Sequence, residues 1–252
     1  MIPNALTMAR FYIPPNAWNP DKLALDDAET KHALQVLRMK EGDRATVFNG
    51  QGVEATVEFQ KVEKNRVTLR KILMSKTPPL ACELTLGQAV PKGKNMELIV
   101  EKATELGAAG IAPLLSERTV VRADDGEAVG KREKWQRVAI EAAKQCGQNW
   151  VPQVAKPVGL KEFFAQGDKY DLRLIASLQP GAVSIKRALA EVKSPRKVLV
   201  LVGPEGDFTP AEINLALNQG CQPVTLGPII LRTETAAIYC VSVLAHELFG
   251  GK

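Results

Sequence analysis

Leu226-Gly-Pro-Ile-Ile-Leu-Arg-Thr-Glu-Thr-Ala-Ala237, taken with Val202-Gly-Pro-Glu-Gly206, decides the fold. Each segment places glycine, a turn and a few polar groups directly after an apolar strand, Val198–Val202 in one case and Val224–Leu226 in the other. In an open α/β sheet, ligands bind at the carboxyl ends of the strands. Gly203, Gly206 and Gly227 allow backbone to approach a ligand closely. The second segment then delivers Arg232, Thr233, Glu234 and Thr235 at the start of a helix. Two polar loops at adjacent strand ends are the expected makeup of one pocket. In it Arg232 faces an anionic group, Thr233 and Thr235 hydrogen-bond, and Glu234 acts as acceptor or base. The plainer reading of the same four residues is a capped helix start with a salt bridge.

Outward from this pair, strand and helix periods alternate. Leu84–Val90 reads as a strand. Asn95–Leu106 reads as a helix with Met96, Ile99, Val100, Ala103 and Leu106 inward, and Lys94, Glu97, Glu101, Lys102 and Glu105 outward. Gly107 stops it, and Ile111–Leu115 follows as a strand, which makes a right-handed parallel βαβ unit. A longer helix covers about residues 128–146, with Trp135, Val138, Ala139 and Ala142 on one face. Val151–Val154 and Leu172–Ala176 are further strands. Thr209-Pro-Ala-Glu212 combines an N-cap, proline at the first helical position and an acid three residues after the cap, and Gly220 ends the helix it starts. A final helix from about Glu234 puts Ile238, Val241, Ala245 and Leu248 on one side. These elements form an α/β domain over residues 80–252.

Residues 1–75 read differently. Val53, Ala55, Val57 and Phe59 alternate with Glu54, Thr56 and Glu58, the pattern of a half-buried strand. Val47-Phe48 leads through Asn49-Gly50 into it, and Val67 and Leu69 mark a third strand. One helix interrupts them, started by Asp26 with Glu29, carrying Ala33, Val36, Leu37 and Met39 on its apolar face and ending at Gly42. Short strands with one helix predict a small β-barrel. Ser75-Lys-Thr-Pro-Pro79 is the expected linker between the domains.

Composition narrows the chemistry. With 252 residues, 45% of them hydrophobic and 24% charged, the chain holds enough apolar material for two modest cores. No apolar run reaches membrane-spanning length and residues 1–10 lack the apolar core of a signal peptide, so no membrane association and a cytoplasmic location are expected. Cys82, Cys146, Cys221 and Cys240 lie far apart, and His32 and His246 are the only histidines, so no metal site is expected. The chain has no dinucleotide-binding Gly-x-Gly-x-x-Gly after a strand, no phosphate loop and no nucleophile elbow; Gly50-Gln-Gly52 lies in a hairpin. The formal charge of +5 is mild and spread over both halves, which permits an RNA partner without demonstrating one.

Several basic residues suit RNA. Arg10 beside Phe11-Tyr12 pairs a phosphate contact with base stacking, against the plainer reading of a core strand. His32 stands one turn from Val36 and edges the core in its plainer reading; Arg38 suits phosphate recognition. Lys102 and Glu105 read as a solvated pair or as an RNA contact, and Arg118 at a strand end is the stronger candidate.

Together these segments resemble the RsmE family of ribosomal RNA methyltransferases within the SPOUT superfamily. The matching pieces are Arg10-Phe-Tyr12, His32…Val36-Leu-Arg38…Gly42-Asp43, Glu97…Lys102-Ala-Thr-Glu-Leu-Gly107, Pro113…Ser116-Glu-Arg118, and Glu141…Gln145-Cys-Gly147. Val151-Pro152, Gly203-Pro-Glu-Gly206 and Leu226-Gly227…Ile230-Leu-Arg-Thr-Glu-Thr-Ala236 complete them, in family order over nearly the whole chain. The resemblance implies an N-terminal PUA-like RNA-binding barrel (residues 1–75) and a mostly parallel α/β methyltransferase domain with a trefoil knot (residues 80–252). It implies a homodimer that binds S-adenosylmethionine (SAM) and methylates N3 of one uridine in 16S rRNA of the small ribosomal subunit. By the same resemblance, Leu201, Gly203, Glu205, Gly206, Leu226, Gly227, Leu231, Thr233 and Thr235 hold the cofactor. Arg232 stabilises negative charge on the uracil, Glu234 or Glu205 handles the proton, and Arg10, His32, Arg38, Lys102 and Arg118 meet the RNA. The chain departs from the family in having Asp207 where glycine is usual, and Gln148 and Ile229 where arginine is frequent. A SPOUT enzyme acting on tRNA and a non-catalytic ribosome-assembly factor remain open alternatives.

Overall fold

The computed structural model describes residues 8–63, 66–93, 95–119 and 125–250, which fall into two compact units. Lys94, expected on the outer face of a helix, lies outside the described residues.

The first unit comprises residues up to Pro79 together with Ile140–Val151. Its elements are β1 (Arg10–Tyr12), α1 (Asp27–Lys31), β2 (Arg44–Phe48), β3 (Val53–Glu63) and β4 (Arg66–Lys76). The strands form a sheet in the order β1-β2-β3-β4, with β1 parallel to β2 and the other pairs antiparallel. Among the described residues β1 and β4 do not pair, so the sheet is open where a closed barrel was expected. The face that closure would cover is filled by Phe11, Ile13, Leu23 and Ala33 packed against Val47, Val57 and Phe59.

The helix starts as read, with the Asp26 side chain accepting from the Glu29 amide. Its apolar face is not the one expected. Ala33 is buried, but Val36 is 65% exposed and Leu37 is exposed as well. The cause is a widened turn over His32–Val36, in which the Leu37 amide reaches back to the His32 carbonyl. That extra residue per turn rotates everything after it. The helix ends at Arg38, which has φ 55°, and Gly42 sits instead in the turn leading to β2.

Two buried polar sets tie the 140–151 segment into this unit. Lys144 pairs with Glu29 at 2.9 Å, both side chains nearly buried, and with the exposed Glu141 at 3.0 Å. Burial alone would pull the Lys144 pKa down; these partners outweigh it and leave it raised. The Arg10 guanidinium, 9% exposed, bonds Glu54, the Gln148 carbonyl and Asn149, and lies over the Phe48 ring. Asn149 also donates to the Thr77 hydroxyl, and Trp150 to the Thr77 carbonyl.

The second unit holds the parallel sheet. In chain order come β5 (Glu83–Ala89), α2 (Asn95–Glu105), β6 (Gly110–Leu115), α3 (Asp125–Cys146, its last turns in the first unit), β7 (Gln153–Val154), β8 (Val158–Gly159), α4 (Leu160–Ala165) and β9 (Leu172–Ala176). There follow β10 (Val183–Ser184), α5 (Ile185–Ala190), β11 (Lys197–Val202), α6 (Pro210–Asn218), β12 (Gln222–Thr225) and α7 (Thr233–Phe249). The strand order is β10-β12-β9-β11-β5-β6-β7, with β8 also paired to β6, and every pairing is parallel. The mixed α/β fold with a mostly parallel sheet is therefore as expected. Val198–Val202 is buried throughout, as befits a strand covered on both faces.

The start of α6 follows its sequence signature: the Thr209 side chain accepts from the Glu212 amide while the Glu212 carboxylate accepts from the Thr209 amide. Helix α2 buries the expected Met96, Ile99, Val100 and Ala103, and also Thr104, whose hydroxyl donates to the Val100 carbonyl. Helix α7 differs in phase. It buries Thr233, Ala236, Ala237, Cys240, Val241 and Leu244, leaving Ile238, Ala245 and Leu248 half-buried. Apolar residues surround much of this helix, so periodicity alone cannot fix its phase. The cysteines are all free, and burial pushes the Cys82 thiol up to about 11 and those of Cys221 and Cys240 up to about 12, so these three stay protonated near neutrality.

Removing one member of the buried Lys144–Glu29 pair strands the other in the interior. Lys144→Met should destabilise the protein by about 3 kcal/mol. The double variant Glu29→Gln/Lys144→Met should recover part of that loss in chemical denaturation.

Candidate functional site

A cleft of about 500 Å³ opens at the carboxyl ends of the second unit's strands. Three strand ends build it rather than two. Ala176 ends β9, with Ser177 and Leu178 after it; the run from Val202, the last residue of β11, to Asp207, Gly206 apart, comes next; the run from Leu226 to Glu234, Pro228 apart, follows β12 and enters α7. The two glycine-bearing ends are not adjacent, because β9 lies between β11 and β12. Sequence reasoning placed them side by side because they are consecutive in the chain, and strand order is set by long-range pairing. The contribution of β9 was missed: Leu172–Ala176 was recognised as a strand, but no glycine follows it until Gly181. Its signal lies in Ser177, whose hydroxyl accepts from the Gln179 amide to make a tight turn at the strand end. Asn95, at the start of α2, also lines the cleft and was not anticipated.

The β11 loop is a close-packed turn. The Asp207 amide donates to the Pro204 carbonyl at 2.9 Å, and the Asp207 carboxylate accepts from the Phe208 amide at 2.7 Å. A side chain on Gly203 would place its Cβ 3.0 Å from that carboxylate and 3.1 Å from the Phe208 nitrogen, so only glycine fits without moving the turn. Asp207 has φ 60°, a left-handed conformation that aspartate tolerates by bonding locally. The residue that departs from the family therefore sits where glycine would be unstrained, and it compensates with a carboxylate–amide bond.

Across the cleft, Gly227 has φ 115° and Ile229 and Ile230 are 74% and 77% exposed. The chain then turns into α7 with Arg232 as N-cap and no side-chain cap. The Arg232 guanidinium is exposed and has no partner among the described residues. Thr233 is buried and its hydroxyl donates to the Gly203 carbonyl at 2.7 Å. That bond joins the loop after β12 to the loop after β11. Glu205 accepts from the Lys92 amide at 2.9 Å, whereas Glu234 has no partner among the described residues.

Other expected site residues lie apart from the lining. Leu201 is fully buried within β11, paired with Gly87 and Ile175. Gly206 and Thr235 do not line the cleft. Arg118, expected to meet phosphate, donates to the Gly206 carbonyl and so braces the β11 loop. Lys102 is engaged by Glu101 at 2.8 Å and Glu105 at 2.9 Å, the solvated pair of its plainer reading. Arg10 is spent on the internal contacts described above. His32 meets the Phe11 ring edge-on at 6.2 Å, at the margin of the first unit's core. Arg38 alone of this group is both exposed and without a partner among the described residues. Among the described residues, no cluster of His, Cys, Asp and Glu could hold a metal and no helix is long and apolar enough to cross a membrane.

Known proteins are similar to this chain over most of its length. The RNA methyltransferase domain family matches residues 78–245, and the RNA methyltransferase PUA domain family matches residues 25–72. The ribosomal RNA small subunit methyltransferase E of Bacillus subtilis is 34% identical over 87% of this chain and 88% of that protein. That of Aquifex aeolicus is 32% identical over 89% and 94%. The crystal structure of the ribosomal RNA small subunit methyltransferase E of Neisseria gonorrhoeae, bound to S-adenosyl methionine, is similar to this one with a TM-score of 0.85. At 32% identity it covers 95% of this chain and 98% of its own.

The left-handed backbone at position 207 gives a direct test of the β11 turn. Asp207→Gly should stay within about 1 kcal/mol of wild type in denaturant unfolding, since glycine relieves the strain while losing the local bond. Asp207→Val, β-branched and without an acceptor, should lose about 2 kcal/mol.

Proposed function

The chain belongs to the ribosomal RNA small subunit methyltransferase E (RsmE) family, and on that premise we propose that it transfers a methyl group from SAM to N3 of one uridine in 16S rRNA. The observation that carries the reading is the cleft itself. Two glycine-bearing loops, one crowded at Gly203 and one with Gly227 at φ 115°, are tied together by Thr233, and an unpartnered arginine stands at the edge.

The residues present fit SAM. The volume of about 500 Å³ suits a nucleoside-sized ligand. Gly203 and Gly227 bring main-chain groups to the cleft wall, and the uncapped start of α7 leaves amides available there. Glu205, Asp207 and Glu234 line the cleft against one Arg232, a balance that favours a ligand carrying positive charge. In this reading Gly203 and Glu205, with Leu226, Gly227 and Leu231, hold the adenosine and methionine parts. Leu201 and Gly206 act by shaping the β11 turn, and Thr233 by joining the loops.

Bound SAM supplies a methyl group activated by its sulfonium. The chain's task is to expose and orient the uridine. N3 carries a hydrogen engaged in base pairing, so the base must be splayed out of its pairing before reaction. Arg232 stabilises the negative charge that develops on the uracil as N3 loses its proton. Glu234, free of internal partners, takes that proton in preference to Glu205, which the Lys92 amide already occupies. Alignment of N3 with the methyl group supplies much of the acceleration. Arg38, held out by a left-handed turn, contacts phosphate.

The finer architecture belongs to the same reading. Residues 1–75 act as a PUA-like RNA-binding domain built on the open sheet, supported by the family match over 25–72. Residues 80–252 form a knotted SPOUT domain: β12 inserts between β9 and β10, and α7 then returns to pack against β5, β11 and α2. The exposed Ile229, Ile230 and Tyr239 are covered by a second copy in a homodimer. The protein works in the cytoplasm, on the small ribosomal subunit.

The test is transfer of labelled methyl to small subunits and to tRNA from cells lacking this protein, followed by mass mapping. Label at N3 of one 16S uridine is expected. Label in tRNA would reassign the substrate, and RNA binding without SAM binding would make the protein an assembly factor. Arg232→Ala should lower methyl transfer about a hundredfold or more with little change in SAM affinity. Glu234→Gln should slow transfer more than Glu205→Gln in the same assay.

A further inference from the structure

Gln88 is a polar residue in the interior of β5, 0% exposed, paired in register with Val202 at the end of β11 and with Pro113 of β6. Its Nε2 donates to the Ala89 carbonyl at 2.8 Å and to the Thr233 hydroxyl at 3.0 Å. The Ala89 carbonyl can only accept, so the amide nitrogen must face it, and the same nitrogen then also faces Thr233. With a lone pair of Thr233 occupied, its hydroxyl hydrogen is directed to the Gly203 carbonyl, 2.7 Å away. The chain Gln88→Thr233→Gly203 is therefore directional, and it joins β5, the first residue of α7 and the loop after β11. The Gln88 Oε1 atom is buried without a partner. Such an acceptor destabilises the fold relative to an apolar residue of the same shape, so general packing does not explain the glutamine.

We propose that Gln88 is a positioning residue for the cofactor site. By orienting the Thr233 hydroxyl it sets the separation and angle of the Gly203 loop and the start of α7, and so holds the cleft in its binding geometry before the ligand arrives. This rests on the reading of the cleft as the SAM site. Gln88 touches neither cofactor nor substrate; it acts through Thr233.

The test pairs calorimetric titration of the full-length protein with SAM against thermal melting. Gln88→Met keeps the side chain's length and removes the amide. It should melt at or above the wild-type temperature, because the orphaned acceptor is gone, while SAM affinity falls about tenfold. Thr233→Val should lose a similar factor, and Thr233→Ser, which keeps the hydroxyl, should bind at least fivefold tighter than Thr233→Val. The double variant Gln88→Met/Thr233→Val should bind no more weakly than the weaker single variant, since both break one chain. Wild-type affinity in Gln88→Met, or losses that multiply in the double variant, would overturn the proposal. If Gln88→Met does not fold, the Thr233 pair decides: equal affinity of Thr233→Val and Thr233→Ser overturns it. A wild-type protein that fails to bind SAM refutes the reading of the cleft itself, and the proposal with it.

Discussion

The cleft depends on one hydrogen bond, from the buried Thr233 hydroxyl to the Gly203 carbonyl. The loops it joins come from strands that do not touch, because β9 separates β11 from β12. Without a tie, two glycine-bearing loops a strand apart have no reason to keep a fixed spacing, since glycine leaves the backbone free to move. The Thr233 side chain is buried beside Gln88, so its hydroxyl meets little competition from water once the sheet has formed. The bond also fixes where α7 begins. The placement of Arg232 and Glu234, the residues immediately before and after Thr233, follows from it. In the proposed reading the reacting groups stand at the start of a long packed helix, and the cofactor meets a turn in which a side chain at Gly203 would crowd Asp207 and Phe208.

Charge is distributed by the same logic of commitment. Most basic residues that looked suited to RNA in the sequence are used inside the protein. Arg10 holds the 140–151 segment, Lys102 sits between two glutamates, and Arg118 braces the Gly206 carbonyl. Those left without partners among the described residues, Arg38 and Arg232, stand on special backbone: a left-handed turn and a helix N-cap. A constrained backbone fixes where each guanidinium is presented, and its planar fork suits an anion. The surrounding carboxylates keep the cleft from becoming a general anion trap.

The elements that were legible in the sequence are those fixed by neighbours in the chain. Thr209 and Glu212 are three residues apart and cap one helix, and the buried face of α2 repeats with the helical period. Both glycine-bearing loops were found because glycine after an apolar run is a local signal. What failed was non-local. The position of β9 between β11 and β12, and its Ser177 turn in the cleft, depend on pairings that no window of sequence contains. The widened turn at His32–Val36 displaced Val36 and Leu37 from the core, and nothing in those residues announces it. Helix α7 is apolar on more than one side, and the small Ala236, Ala237 and Cys240 let the face that also carries Val241 and Leu244 pack inward. Gln88 did leave a trace: one amide in the buried run Leu86–Ala89. It reads as noise until Thr233, 145 residues away, is found beside it.

The most direct measurement is a crystal structure of the protein soaked in SAM. The cofactor should lodge between the Gly203–Asp207 turn and the Leu226–Arg232 loop, with the Thr233 hydroxyl still bonded to the Gly203 carbonyl. Cofactor bound anywhere else, or bound there with that bond broken and the loops apart, would contradict the proposed site.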